Sequence, residues 1–354
     1  MTDARDDQSW MQAAIAMGQR GLGQTSYNPS VGCVVVRDGM LVGQSWTQAA
    51  GRPHAEAEAL AMAGEAARGA CVYTTLEPCA HQSESGPRCC DLLVQAGVGR
   101  VVIAVEDPDP RTKGRGANAL REAGIKVEVG VGQREAQWSL HGHLRRVQLG
   151  LPHVTLKLAC TLDGKIALGH GESKWITGPA ARGWGHMIRS QHSAIVTGAK
   201  TVRADNPSLT ARVPGFSGQH PQAFVLASAE GLSGDFELLA RGAQVLTATD
   251  GARLPDPNEV LQLLAAQGHT RVMIEAGSGV ASLFLRSGLV VEIALFQAPA
   301  LIGRDGLNAV GDLSLTSIAD LVRWECFDQV QIGQDSLRRY RKPGWAEELT
   351  IRHV

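Results

Sequence analysis

The stretch GRPHAEAEALAMAGEAARG (residues 51–69) sets one histidine two residues before a glutamate and four before another, at the head of an alanine-rich run. Alanine is the strongest helix former and proline is preorganised for a first turn. The stretch therefore predicts a helix over 53–67, with Pro53 in its first turn. On a regular helix Glu58 shares the face of His54, while Glu56 points elsewhere. Glu56 joins His54 if a site lies at the helix N-terminus, where side chains converge past the end. The partial positive charge there also favours thiolate and hydroxide. Taken alone, H-x-E is an ordinary solvated helix start.

Working outward, residues 10–24 read as a helix that stops at glycines, and Asn28-Pro29 as a turn. VGCVVV (31–36) and LVGQS (41–45) are short strands joined by an Asp38-Gly39 hairpin turn. Beyond the central helix come a strand ACVYTT (70–75), a helix from about 88 to 97 and a strand RVVIAV (100–105). A helix over 116–123 and a strand IKVEV (125–129) follow. Strands alternating with helices in this way make one three-layer α/β domain, 1–148. A helix over 133–148 leads to a linker-like LGLP (149–152).

A second series then begins. HVTLKLA (153–159), SAIVTG (193–198), AFVLAS (223–228), AQVLTA (243–248), RVMIEA (271–276) and VEIALF (291–296) read as strands. Helical stretches near 179–191, 257–268 and 279–287 alternate with some of them, giving a second α/β domain, 149–354. There is no internal repeat.

Composition limits the function classes. The chain has 354 residues, enough for two cores, with 44% hydrophobic and 19% charged residues and a formal net charge of −1. No basic stripe points to nucleic acid. No apolar run approaches the roughly 20 residues of a membrane span. The acidic start MTDARDDQSW carries no apolar signal core, so a cytoplasmic protein is expected. Seven cysteines (33, 71, 79, 89, 90, 160 and 326) form an odd set, which argues for free or metal-bound thiols over a disulfide framework.

Three soft ligands gather around the opening helix. Cys79 follows a proline just past a strand end, and Cys89 and Cys90 open the next helix. One His and two Cys suit a catalytic zinc, whose fourth position stays open for water. Nucleobase deaminases use H-x-E…P-C-x-x-C, with the glutamate as general acid and base. His54-Ala55-Glu56 and Pro78-Cys79 match, whereas the second cysteine lies ten positions on. Cys89 and Cys90 point about 100° apart on a helix, so one of the two reaches a metal. In the second domain, GSGVAS (277–282) follows a strand and opens a helix, a place for a pyrophosphate or merely a tight turn. Arg189 and Arg212 suit a phosphate, because a guanidinium binds one bidentately. Trp175 either covers a ring or fills the core, and Glu275 ends a strand where open α/β sheets take ligands.

YNPSVGCVVV (27–36), HAEAEAL (54–60), TLEPCAH (75–81), CCDLLVQAGV (89–98) and EDPDPRTKGRG (106–116) resemble the deaminase half of the bifunctional riboflavin-biosynthesis deaminase–reductases. LKLACTLDGKIAL (156–168), GESKWITG (171–178), the segment 187–212 and IEAGSGV (274–280) are similar to the reductase half. The resemblance implies a cytidine-deaminase-like fold followed by a dihydrofolate-reductase-like one. It implies zinc on His54, Cys79 and Cys89, with Glu56 as proton carrier, and Asn28 and His81 at the pyrimidine. It implies NADPH contacts at Ala159, Trp175, Thr201, Asp205 and the run Gly277, Ser278, Gly279, Val280, Ala281, Ser282 and Leu283. Substrate contacts are implied at Ser173, Arg189, Leu209, Arg212 and Glu275. The implied reactions are deamination of 2,5-diamino-6-ribosylamino-4(3H)-pyrimidinone 5′-phosphate, then reduction of its ribosyl group to ribityl. A small-molecule ribotide as partner, no nucleic acid or membrane, and a homodimer or homotetramer complete the expectation. One departure stands out: SESGPR (83–88) is one residue longer than the family's G-R-T-P-P segment and lacks its arginine, and the sequence leaves open whether Arg88 replaces it.

Overall fold

The computed structural model describes residues 4–81, 86–228, 231–248 and 254–349. The chain forms two compact units, one running to Gly150 and the other spanning Leu151–Glu348. The division falls at Gly150 rather than at residue 148. Leu349, expected in the second domain, belongs to the first unit and is buried in its core.

In the first unit, α1 (Ala4–Gln19) precedes the hairpin β1 (Gly32–Arg37) and β2 (Met40–Trp46). Then come α2 (Ala55–Ala63), β3 (Cys71–Leu76), α3 (Cys89–Gln95), β4 (Arg100–Val105), α4 (Arg115–Glu122) and β5 (Lys126–Val129). Two helices, α5 (Gln133–Ser139) and α6 (His141–Leu149), stand where the sequence predicts one. Leu140 interrupts them, with ψ near 0°. The sheet order is β2-β1-β3-β4-β5, with β1 antiparallel to both neighbours and β3, β4 and β5 parallel.

Close backbone approach explains which helix covers which face. A Cβ on Gly32 would lie 1.8 Å from the carbonyl oxygen of Ala14 in α1, and one on Gly43 would lie 2.2 Å from that of Ala59 in α2. Gly43 pairs with Val35, three residues along β1 from Gly32, so the two glycines face opposite ways and α1 and α2 lie on opposite faces. The sheet is thus buried on both sides, and its strands read as unbroken apolar runs. Arg100 fixes α1 to the sheet through two parallel bonds of 2.8 Å to the buried Asp7, which also accepts from Tyr73 at 2.6 Å.

Two sequence expectations about helix boundaries need correction here. The first helix runs over 4–19 rather than 10–24, and Pro53 lies outside α2 instead of in its first turn. His54 is the residue before the helix, in extended backbone (φ −70°, ψ 159°), and Ala55 is its first residue. The helix ends at Ala63, and the chain continues as a tighter turn over Gly64–Ala67.

The second unit opens with β6 (His153–Thr161), β7 (Lys165–Ala167), α7 (Pro179–Ser190) and β8 (Ala194–Gly198). It continues through α8 (Ala199–Asp205), β9 (Gln222–Ala227), α9 (Glu237–Ala240), β10 (Gln244–Thr247), α10 (Pro257–Ala266), β11 (Arg271–Ile274) and α11 (Ser278–Arg286). It closes with β12 (Glu292–Ala298), β13 (Leu307–Asn308), β14 (Glu325–Ile332) and β15 (Asp335–Arg341). The large sheet has the order β10-β9-β8-β11-β6-β12-β15-β14, parallel from β10 to β12 and antiparallel through β15 and β14. Strand residues alternate between two cores. Val272 and Ile274 pack with α10 and α11, while Met273 packs with α7 and α8.

At the amino ends of β6, β11 and β12 sits a buried ionic cluster. Glu292 accepts from Arg339 at 2.8 Å and meets His153 at 2.9 Å, with Arg271 at 3.8 Å. His192 bonds Thr155 at 2.9 Å beside them. Burial alone would push the Glu292 carboxyl up, but Arg339, His153 and Arg271 outweigh it and hold it well below the usual range. Its contribution to stability is therefore present above the ordinary carboxylate pKa and is lost as pH falls through the lowered value. Glu292→Gln strands Arg271 and Arg339, and should cost about 3–5 kcal/mol. A lower urea midpoint for the second unit checks this, as does a weaker dependence of that midpoint on acid pH than in the wild type.

Candidate active sites

The register of the first sheet brings four chain ends to one edge. Trp46 ends β2 opposite Gly32, which begins β1, while Leu76 ends β3 beside Val105 at the end of β4. The segments that leave this edge carry Asn28, His54, Cys79 and Glu106–Gly116.

His54, Cys79 and Cys89 meet there. Nδ1 of His54 lies 3.2 Å from Sγ of Cys89 and 3.6 Å from Sγ of Cys79. All three donor atoms lie within 4.8 Å of one another, and among the described residues no other group of three His, Cys, Asp or Glu does so. Tetrahedral zinc with bonds of about 2.0–2.3 Å holds such donors roughly 3.5–3.8 Å apart. The donor set and its spacing fit that ion. The backbone N–H of Cys89 points at Sγ of Cys79 (3.3 Å), a charge-assisted bond for a thiolate. Hydrogen bonds from Cys89 pull the Cys79 thiol down, whereas the negative sulfur and burial push Cys89 up. The pair thus holds one negative charge readily and a second at a cost that a cation removes.

The extended backbone at His54 decides between the two glutamates. With the ring placed before the helix, the second helical residue, Glu56, is buried (3% exposed), and Glu58, also in the first turn, is half-exposed. Burial pushes the Glu56 carboxyl up, opposed by the His54 charge, toward the range where a carboxyl exchanges protons at neutral pH. Cys90, the alternative ligand, is buried within the core of the unit.

Asn28 lies at the same edge. Its amide fills the space a Cβ of Gly51 would need, at 1.9 Å, so it packs against the loop leading to His54. His81 bonds Thr112 through Nδ1 at 3.1 Å. Sequence reading missed Glu77, although it stands inside the EPC motif. Its buried carboxylate accepts from the backbone N–H groups of Asp107 (3.3 Å), Gly114 (3.0 Å) and Ala117 (3.0 Å), fixing the segment that presents Thr112. Of the SESGPR loop, residues 83–85 lie outside the described residues. Arg88 is turned to Asp91 at 2.6 Å, so its guanidinium is engaged along its own helix.

In the second unit the expected residues gather at the carboxyl ends of β6, β8 and β11. Thr201, just after β8, accepts from the N–H of Gly277, just after β11, at 3.2 Å. Ser173 reaches Asp205 at 3.4 Å, and Ala159 lies near the end of β6. Ala281 closes the first turn of α11 by bonding to the Gly277 carbonyl, which leaves the N–H groups of 278–280 without a partner inside the helix. That suits a pyrophosphate bound through backbone donors. Within the run Val280 and Ala281 are core, buried Ser282 accepts from Gly311, and Leu283 is half-buried. Trp175 is 68% exposed and stacks on Arg182 at 4.5 Å, so it does not fill the core.

Arg189 is engaged within the protein. Its Nε and Nη2 form two parallel bonds of 2.8 Å to Glu275, which also accepts from Lys157 at 3.1 Å. The bidentate face expected for a phosphate is spent on a carboxylate. Burial pushes the Glu275 carboxyl up, but Arg189 and Lys157 overcome this and keep it ionised. Leu209 is buried in a left-handed backbone (φ 48°), which turns the loop carrying Arg212. Arg212 is exposed and donates to Ser208 at 2.8 Å. Lys157 and His186, neither singled out from sequence, complete this charged cluster.

Comparison with known proteins follows this division. Residues 4–105 match the cytidine and deoxycytidylate deaminase zinc-binding region, and residues 152–337 match the RibD C-terminal domain. The riboflavin biosynthesis protein RibD of Escherichia coli K12 is 36% identical, with 93% of this chain and 97% of that protein aligned. Its Bacillus amyloliquefaciens counterpart is 37% identical, covering 93% and 94%. Among solved structures, Acinetobacter baumannii RibD superposes with a TM-score of 0.87 at 36% identity, covering 96% of this chain and 99% of that one. A Thermotoga maritima diaminohydroxyphosphoribosylaminopyrimidine deaminase/5-amino-6-(5-phosphoribosylamino)uracil reductase does so with 0.84 at 32% identity, covering 96% and 99%.

Elemental analysis separates the two neighbouring cysteines. Cys90→Ser should keep its zinc. Cys89→Ser should weaken zinc binding by more than the about 10–100-fold that a lost outer partner costs.

Proposed function

Because the chain belongs to the family of the riboflavin biosynthesis protein RibD, and is a bifunctional deaminase and reductase of that pathway, we propose how its own residues divide the work. The observation that carries the reading is the convergence of His54, Cys79 and Cys89 with buried Glu56 at one sheet edge.

His54, Cys79 and Cys89 hold the zinc ion. When bound, zinc supplies the Lewis acidity that makes water a nucleophile near neutral pH. Glu56 accepts a proton from the attacking water and delivers it to the departing amine, so that ammonia leaves and a carbonyl remains. Its burial keeps the carboxyl in contact with the reacting atoms and away from bulk solvent. Asn28 and His81, held by Gly51 and Thr112, orient the pyrimidine. The substrate is 2,5-diamino-6-ribosylamino-4(3H)-pyrimidinone 5′-phosphate.

In the second unit, NADPH when bound would supply a hydride to C1′ of the ring-opened ribosyl group, and a proton from solvent would complete the ribitylamino product. The N–H groups of Ser278, Gly279 and Val280 take the cofactor phosphates, supported by Thr201, with Trp175, Asp205 and Ala159 along its path. Glu275, kept ionised by Arg189 and Lys157, orients the substrate. Ser173 and Leu209 line its position, and Arg212 meets the 5′-phosphate. A homodimer or homotetramer in the cytoplasm completes the reading, on family resemblance.

The test is a mass spectrum of products from zinc-loaded protein, the diamino ribotide and NADPH. The expected product has its amine replaced by oxygen and two hydrogens added. Glu56→Gln should keep zinc and still reduce supplied deaminated ribotide, while deamination falls by about 10²–10⁴-fold. Loss of zinc or of reduction together with deamination would remove Glu56 from the proton-carrying role.

A further inference from the structure

His186 stands in α7 three residues before Arg189, half-buried beneath the loop 206–212. Its Nδ1 lies 2.9 Å from the carbonyl oxygen of Thr210. Nη1 of Arg189 also lies 3.3 Å from Nδ1, but that guanidinium donates to the same carbonyl, and the shorter contact of Nδ1 is to the carbonyl, which only accepts, so Nδ1 carries the proton and Nε2 of the neutral ring presents a lone pair. Arg212 faces that lone pair, with its Nη2 at 3.4 Å.

The loop holding these groups is pinned. Arg189 donates to the same Thr210 carbonyl through Nη1 at 3.1 Å, and Arg241 donates to the Ser208 carbonyl at 2.6 Å. Asn206 and Leu209 set its turns in left-handed backbone. Arg189 gives Nε and Nη2 to Glu275 and is largely covered, so Arg212 is the exposed arginine of the pair. One exposed guanidinium leaves a dianionic phosphate half neutralised. The ring nitrogen next to it is the nearest place for a second positive charge.

We propose that His186 is a proton-linked specificity residue of the reductase: a 5′-phosphate on Arg212 draws a proton onto Nε2, and the resulting imidazolium donates to that phosphate. This rests on the reading that Arg212 meets the 5′-phosphate. Nδ1, tied to Thr210, keeps the ring aimed in both protonation states. The charged groups facing the ring are Arg189 from its own helix, Arg212 from the loop and Glu275 from the end of β11. Burial, then the charge of Arg189, holds the imidazole below its ordinary value, so it is neutral at neutral pH before the anion arrives. A dianion at hydrogen-bond distance reverses that balance. Affinity for the phosphorylated substrate then falls as pH rises, beyond the range in which the phosphate itself titrates.

Calorimetric titration of 5-amino-6-(5-phosphoribosylamino)uracil into the full chain without NADPH tests this. At about pH 7.5 the phosphate, with a second pKa of about 6, is almost entirely dianionic. Repeating the titration in buffers of different ionisation heat counts the protons taken up. The wild type should take up close to one proton per site, about 0.9, and His186→Gln none, with affinity about tenfold weaker. His186→Lys, with a permanent charge, should recover part of the affinity without proton uptake. Retained NADPH binding shows that each variant is folded. Wild-type affinity in Arg212→Gln would remove the phosphate reading and this proposal with it. Weak binding in Arg212→Gln, together with undiminished proton uptake or wild-type affinity in folded His186→Gln, would overturn the role of His186 alone.

Discussion

A parallel strand ends at the same edge of a sheet as its parallel neighbour, because the crossover must carry the chain back to the other edge before the next strand begins. Both units obey this, and both gather their chemistry at the edge where the parallel strands end. In the first, Glu77 and Cys79 follow β3 while Asp107 follows β4. In the second, Thr201 follows β8 and Glu275 follows β11, beside Lys157 in the middle of β6. Residues far apart in sequence thus share a site without any one element having to bend.

Charge burial shows why place decides role. Glu292 and Glu275 belong to the same sheet, and each is surrounded by arginine and other hydrogen-bonding groups. Glu292 sits at the amino ends of the strands with the buried His153, Thr155 and Arg271 and the partly exposed Arg339. Its cluster ties β6, β11, β12 and β15 together. Glu275 sits at the opposite ends, where Arg189 and Lys157 are only partly covered and Arg212 lies on the surface. The same ionic chemistry is sealed from solvent at one edge, where the Glu292 side chain is 1% exposed, and is partly open at the other, where that of Glu275 is 15% exposed.

Much of this was legible in residue order. The strands RVVIAV, VGCVVV and SAIVTG are apolar because helices cover both faces of each sheet. The hairpin β14–β15 was not legible. ECFDQVQI and DSLRRYR mix charged and apolar residues on a partly exposed edge, and they lack the apolar continuity that marks a buried strand. Glu77 was invisible for a different reason, since its partners are three backbone N–H groups whose location no side-chain pattern reveals.

His54, Glu56, Cys79 and Cys89 were named from spacing and resemblance alone, as was the order of the two α/β series. The family motifs supplied most of that, because H-x-E alone is an ordinary helix start and helix geometry leaves Cys89 and Cys90 open. Which groups face one another was decided only by the tertiary structure. Arg189 reads as a phosphate ligand in sequence, yet the pairing of β11 beside β6 puts Glu275 and Lys157 within its reach, and the carboxylate takes its donors. His186 has no signal in sequence, and it acquires one when the 206–212 loop lays a carbonyl on one ring nitrogen and an arginine on the other. A side chain's type is written in the chain, whereas its partners depend on distances that only packing sets.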